Sequence, residues 1–159
     1  MIRVPVQLDV QYAYKTQSEL PTPENLQRWA DIAWGKASVA EVVIRVVDEA
    51  EGRQLNTQYR SKAQATNILS FPMEMPEEMA ATVEEIMLGD LVICAPVVAQ
   101  EAIEQNKTLH DHWAHLVIHG MLHLQGYDHL NDDEADAMES LEIKLLQQLG
   151  INNPYGSDE

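Results

Sequence analysis

The feature that most restricts the fold of this chain is its six histidines, which all lie between His110 and His129. His119 and His123 are four residues apart, so on a helix their rings lie on the same face. Gly126 follows, and glycine readily adopts the left-handed conformation that ends a helix. The chain can then reverse and return His129 to the same point. The segment therefore predicts a helix and a turn that bring three imidazoles together.

Three neutral imidazoles around an open fourth position form a ligand set typical of a catalytic zinc, whose bound water ionises near neutral pH. A histidine pair at this spacing often occurs by chance, whereas a third histidine after a helix-ending glycine favours a metal. We therefore predict one zinc per chain, bound by His119, His123 and His129. His115 precedes His119 by one turn and is either a residue of the site or an ordinary helix residue.

Several other residues have two possible roles. His110 and His112 fall near the predicted start of the helix, where solvent exposure is expected. Asp128 either orients a ligating imidazole or caps the turn, and Asp90 is either a turn residue or a site residue. Cys94 is the sole cysteine, so it cannot form an internal disulfide, and we expect a small buried side chain.

Helix and strand signals alternate along the 159 residues and predict the element order β-α-β-α-β-β-α-α-α. This order indicates an α/β (α+β) fold in which a small, mixed, four-stranded sheet packs against helices. We expect residues 1–150 to form one domain and 151–159 a short polar C-terminal tail. The predicted strands span 4–12, 39–47, 66–71 and 87–93, and the predicted helices span 23–35, 48–59, 96–106, 108–126 and 131–150.

The charge balance is strongly acidic, with 10 Lys and Arg against 26 Asp and Glu, a net charge of −16. Such a charge repels phosphate backbones, so binding to a nucleic acid requires a local basic patch or a protein partner. The first ten residues lack the unbroken apolar stretch of a signal peptide, and no apolar run approaches the roughly 18 residues of a membrane span. We expect a cytoplasmic protein without a membrane partner.

The spacing of the three histidines is also that of the metzincin proteases, H-E-x-x-H-x-x-G-x-x-H. Here the residue after the first histidine is Gly120 instead of glutamate. In a metzincin that glutamate is the general base that activates the zinc-bound water. Peptide hydrolysis by this mechanism therefore lacks its proton acceptor, whereas phosphodiester cleavage depends less on a base at that position.

The complete segment from Ala114 to His129 resembles the signature of the YbeY family of bacterial ribosomal RNA maturation factors, H-G-x-L-H-L-x-G-Y-D-H. Two further blocks resemble the family in the same order. They lie between Leu55 and Pro72 and in the run Leu-Gly-Asp-Leu-Val-Ile at 88–93. In the earlier block, Ala63 follows Lys62 where the family usually has an aspartate. This departure affects the expected structure of the loop more than the expected chemistry.

This resemblance implies a small α/β zinc protein that acts as a single-strand-specific endoribonuclease in 16S ribosomal RNA 3′-end maturation and ribosome quality control. It implies that His119, His123 and His129 are the zinc ligands and that Arg60 is the functional arginine. It also implies ribosomal RNA and the small ribosomal subunit as partners, reached through ribosomal or ribosome-associated proteins.

The chemistry of Arg60 agrees with that role, because a planar guanidinium can hold a phosphate with two hydrogen bonds and stabilise developing charge. From the residues alone, a surface arginine paired with one of the 26 acids is favoured, and the family motif reverses this preference. Two other functions also remain: a metzincin-like zinc metalloprotease, and a non-catalytic ribosome-assembly factor in which zinc mainly holds the fold.

Overall fold

A four-stranded mixed sheet forms the centre of the computed structural model, which describes residues 6–13, 20–34, 39–60, 67–72, 85–127 and 132–151. The strands lie in the order β1-β2-β4-β3, with β1, β2 and β4 parallel and β3 antiparallel to β4. This arrangement confirms the predicted fold class. The strands are β1 (Val6–Tyr12), β2 (Val39–Val47), β3 (Ile68–Pro72) and β4 (Glu85–Cys94).

Helices connect and cover these strands, and the described elements follow one another in the predicted order. Side-chain caps begin three of the helices, since Thr22, Asp48 and Thr108 each accept a hydrogen bond from a backbone N–H in the first turn. Among the described residues, we find no helix with the length and apolar composition of a membrane span. The helices are α1 (Pro23–Ala33), α2 (Glu49–Arg60), α3 (Ala95–Glu104), α4 (Leu109–Leu124) and α5 (Asp132–Gln148).

The two faces of the sheet carry cores of different size because side chains alternate along each strand. One face carries a large core between the sheet and helices α1, α4 and α5. This core includes Trp29 of α1 and three residues of β2, Val42, Ile44 and Val46. On the other face, Val47 and its neighbours form a smaller cluster with side chains from α2 and α3. Cys94 belongs to this cluster and is buried, as predicted, and burial raises the pKa of its thiol.

An irregularity in β4 lies in one of the blocks that resemble the YbeY family. The register between β2 and β4 skips Leu88, and the next residue, Gly89, has φ of +145°. A Cβ at Gly89 would lie 2.4 Å from the carbonyl oxygen of Phe71 in β3, so only glycine allows the two strands this close. Asp90 follows as an exposed residue inside the strand.

The chain after α5 turns at Gly150, whose φ is +78°. Ile151 is 7% exposed and packs into the large core. The rest of the predicted polar tail, 152–159, lies outside the described residues, so the domain boundary remains a prediction.

Candidate functional site

Helix α4 carries the candidate site, and its two ends are fixed as its sequence predicts. At the start, the Thr108 hydroxyl accepts a hydrogen bond from the N–H of Asp111 at 3.1 Å. At the end, Gly126 has φ of +102°, and the N–H of Tyr127 donates to the carbonyl oxygen of Leu122 at 3.0 Å. These contacts satisfy backbone groups that an uncapped helix would leave without partners.

Gly120 brings the middle of α4 close to the sheet. A Cβ at this position would lie 2.8 Å from side-chain carbons of Ile68 in β3 and Leu91 in β4. The residues around it on this face are buried, whereas His119 and His123 are only partly buried. The position where a metzincin has its glutamate therefore faces the apolar core, and a carboxylate there would be enclosed by aliphatic side chains.

Glu142 of α5 lies behind the histidines of α4 and is fully buried. Its Oε1 lies 3.2 Å from Nε2 of His115, and its Oε2 contacts Nδ1 of His119. Moving an ionised carboxylate from water into the protein interior costs about several kcal/mol, unless hydrogen-bond donors replace the lost water. An apolar side chain would fill this position at lower cost, so a carboxylate here indicates a function.

The contact with Glu142 defines the chemistry of the His119 ring. An ionised carboxylate only accepts hydrogen bonds, so beside ionised Glu142 the ring would carry its proton on Nδ1, and Nε2 would hold the lone pair that a metal ion requires. His123 lies one turn further along α4, and the two ring centroids are 4.6 Å apart. A carboxylate behind a ligating imidazole is the usual support of a metal site, so these residues fit a bound metal ion.

Glu142 also offers a second way to hold a cation. Potential ligand atoms of His115, His119 and Glu142 all lie within 4.8 Å of one another. Of these residues, Glu142 is 0% exposed, whereas the side chain of His119 is 23% exposed. Because a catalytic metal needs an accessible coordination position, we favour Glu142 as the residue that orients His119.

The structure brings together some of the predicted site residues, whereas others are not among the groups that it describes. His119 and His123 lie side by side on α4. His129 and Asp128 lie outside the described residues, and Arg60 is the last residue of α2 with a side chain that is likewise not described. The zinc ligand set and the role of Arg60 therefore remain predictions.

Sequence analysis missed Glu142 altogether. Met138 and Leu145 of α5 are both buried and belong to one apolar stripe of the helix. Glu142 lies four residues after the first and three before the second, so it occupies the same face of the helix. A charged residue within a buried stripe is the signal that identifies it.

The expectation that His112 is solvent-exposed is wrong. Its side chain is only 3% exposed, and its Nε2 lies 2.9 Å from Oε1 of Glu101 in α3. Burial lowers the pKa of His112 and outweighs the opposing effect of Glu101. His110, two residues earlier, is exposed as predicted, and its ring forms a T-shaped contact with the ring of Trp29.

Comparisons with known proteins agree with the sequence resemblance. The profile of the family described as Endoribonuclease YbeY matches residues 12–150. Proteins named Endoribonuclease YbeY are similar over nearly their whole length. One from Pseudomonas putida strain W619 is 53% identical over 97% of this chain and 96% of its own. One from Stenotrophomonas maltophilia strain K279a is 51% identical over 99% of each chain.

A solved structure is similar as well. The solution structure of a protein from Thermotoga maritima aligns with a TM-score of 0.58 and 25% sequence identity. The alignment covers 96% of this chain and 97% of the Thermotoga protein. The mixed sheet and its helices are thus an arrangement already seen by experiment.

Proposed function

Because the chain belongs to the YbeY family of endoribonucleases, we propose that it is a zinc-dependent enzyme that cleaves single-stranded RNA. The proposal places this RNA hydrolase in the maturation of the 16S ribosomal RNA 3′ end and in ribosome quality control in the cytoplasm. The observation that carries the metal dependence is the buried carboxylate of Glu142 behind His119.

One zinc would be held by His119, His123 and His129. Bound there, it would supply a Lewis acid for a phosphate oxygen and a water of lowered pKa. Glu142 keeps the proton of His119 on Nδ1 and fixes the plane of the ring. The same carboxylate contacts His115, so one buried group orients two successive histidines of α4.

Arg60 would hold the scissile phosphate. Its planar guanidinium can donate two parallel hydrogen bonds to phosphate oxygens and stabilise negative charge that develops on them. The end of α2, where Arg60 lies, is followed along the chain by β3, which packs against α4. The proposed role of Arg60 is supported by the family resemblance and by the chemistry of the guanidinium.

The position of Gly120 disfavours a protease. A side chain at this position would contact Ile68 and Leu91 in the core. The helix therefore has no room there for a glutamate that could reach a zinc-bound water. His119 and His123 are only partly buried. This favours an enzyme over a scaffold, because a purely structural zinc has all four positions closed by protein.

The acidic composition supports recruitment by a partner. A net charge of −16 gives no general attraction to RNA. We therefore expect a ribosomal or ribosome-associated protein to supply affinity for the small subunit. Cleavage of isolated RNA should be weaker than cleavage within ribosomal particles.

The test is one assay panel on a single zinc-loaded preparation, with single-stranded RNA, duplex RNA, ribosomal particles and casein as substrates. We expect cleavage of single-stranded RNA, resistance of the duplex because its A-form backbone is held rigid, and no proteolysis. A chelator should abolish the activity and zinc should restore it. Zinc-dependent proteolysis without RNA cleavage would establish the protease, and inactivity on every substrate would favour the assembly factor.

A second test concerns Arg60. Arg60→Lys should impair turnover severely although it keeps the charge, because an ammonium cannot form two parallel hydrogen bonds. Arg53→Lys is the matched control, since Arg53 is an exposed arginine on the same helix. Zinc content should be unchanged in both variants. Wild-type cleavage by a zinc-loaded Arg60→Lys protein would remove Arg60 from the mechanism.

A further inference from the structure

A cleft of about 280 Å³ runs beside the candidate site. His112, His115 and His119 lie along one wall on successive turns of α4, so the cleft follows roughly 10 Å of the helix axis. Asn67 at the start of β3 and Lys107 before α4 contribute other parts of its lining. One end of the cleft therefore contains the proposed zinc ligand His119, and the other end contains His112.

The link between α3 and α4 positions Lys107 in this cleft. Asn106 adopts a left-handed conformation with φ of +58°, and the N–H of Lys107 donates to the carbonyl oxygen of Ala102 at 2.9 Å. Thr108 then caps α4. Because the neighbouring residues on both sides are fixed by hydrogen bonds, the lysine backbone has a defined place.

The Lys107 side chain is partly buried, and burial lowers the pKa of its ammonium group despite attraction from Glu101. The Glu101 carboxylate contacts His112 and accepts a hydrogen bond from Asn67. Within the described parts of the chain, no carboxylate forms an ion pair with Lys107. Lys107 and His112 both line the cleft, and the charge of Lys107 adds to the effect of burial in lowering the pKa of His112.

We propose that Lys107 binds a non-scissile phosphate of the RNA, next to the phosphate held at the proposed zinc site. The inference rests on the proposed endoribonuclease function. A partly buried cation without an ion-pair partner gains most from an anionic ligand, and a phosphodiester strand supplies anions at regular intervals. In a chain of net charge −16, Lys107 brings a cationic side chain to the lining of this cleft.

The experiment compares neutral and charged replacements of Lys107 in the full-length, zinc-loaded protein. Lys107→Met keeps the apolar stem and removes the charge, whereas Lys107→Arg keeps the charge. Lys144→Met is the matched control, because Lys144 is exposed on α5. The measurements are KM and kcat for a single-stranded RNA and Kd for a single-stranded 2′-O-methyl oligonucleotide, each over a series of salt concentrations.

For Lys107→Met we expect KM and Kd to rise about tenfold, the scale of one charged hydrogen bond, with kcat nearly unchanged. The slope of log affinity against log salt should fall by about 0.7, as for one lost phosphate contact to a single strand. Lys107→Arg and Lys144→Met should match the wild type. If Lys107→Met melts at a much lower temperature than the wild type, Lys107→Gln provides a second neutral variant.

Wild-type KM, Kd and salt slope in the neutral variants would overturn this subsite and leave the endoribonuclease proposal standing. If the wild-type protein cleaves no RNA, the proposed function fails, and oligonucleotide binding still decides the subsite. Binding that weakens when Lys107 loses its charge would then support it. Binding that is absent, or equal in all variants, would overturn it.

Discussion

Helix α4 supplies the histidines of three histidine–glutamate contacts, and two of these pairs differ in which partner is enclosed. In the His112–Glu101 pair, the histidine side chain is 3% exposed and the glutamate side chain 26%. In the His119–Glu142 pair, the glutamate is 0% exposed and the histidine 23%. The two histidines lie two turns apart on α4, and each pair joins an imidazole to a carboxylate.

This difference indicates what each pair does. An enclosed imidazole presents no nitrogen to a ligand from solvent, so His112 joins α3 to α4 through Glu101. An enclosed carboxylate behind an accessible ring fixes that ring while leaving its outer edge able to bind. The first pair is therefore structural, and the second is suited to support a metal ligand.

The largest expected effect separates the two histidines by metal content. His119→Ala should lose most of its zinc and lower RNA cleavage by more than about a hundredfold. This loss exceeds the one expected when a residue that only orients a metal ligand is replaced. His123→Ala and His129→Ala should do the same. His112→Ala should keep its zinc and lose thermal stability instead, because it leaves a buried space and removes the partner of Glu101.

Elemental analysis of the purified variants and their thermal melts check this prediction. Since zinc binds the folded state, its loss should also reduce the melting temperature of the ligand variants. Full zinc occupancy in His129→Ala would contradict the three-histidine ligand set. Loss of zinc in His112→Ala would contradict the structural role of that pair.

A smaller effect is expected from the two carboxylates. Glu142→Gln keeps the size of the side chain but weakens acceptance of the His119 proton, so zinc affinity should fall about 10- to 100-fold. Glu101→Gln is the matched control and should leave zinc affinity unchanged. Competition with a chelator of known affinity measures both. Equal zinc affinities in the two variants would remove the functional distinction between the pairs.

The ends of α4 were predictable because their signals are local. A threonine cap at Thr108 and a left-handed glycine at Gly126 act within one turn, so the sequence contains everything needed to locate them. The element order and the mixed sheet were predictable for the same reason. They follow from runs of β-branched residues, helical spacing and turn residues.

The pairings between helices were not predictable in the same way. The burial of His112 depends on a carboxylate eleven residues earlier on α3, and Glu142 meets His119 from α5, 23 residues later. Both contacts depend on the angles at which the helices pack, and a local sequence pattern does not specify these angles. Glu142 still had a detectable signal, a charge inside an apolar stripe, whereas the position of His112 near a helix start pointed towards solvent.

The smallest expected effect is a pH dependence of stability due to His112. Because burial lowers the pKa of His112 in the folded protein, the unfolded chain binds more protons at mildly acidic pH. The contribution of the neutral, buried ring is therefore fully present above the unfolded pKa of about 6.5 and is lost as pH falls below it. Urea unfolding of wild type and His112→Gln between neutral and mildly acidic pH tests this, since the other titrating groups are common to both proteins. The free energy of unfolding should fall more steeply with decreasing pH in the wild type than in the variant. Parallel profiles would show that protonation of His112 does not contribute to the loss of stability.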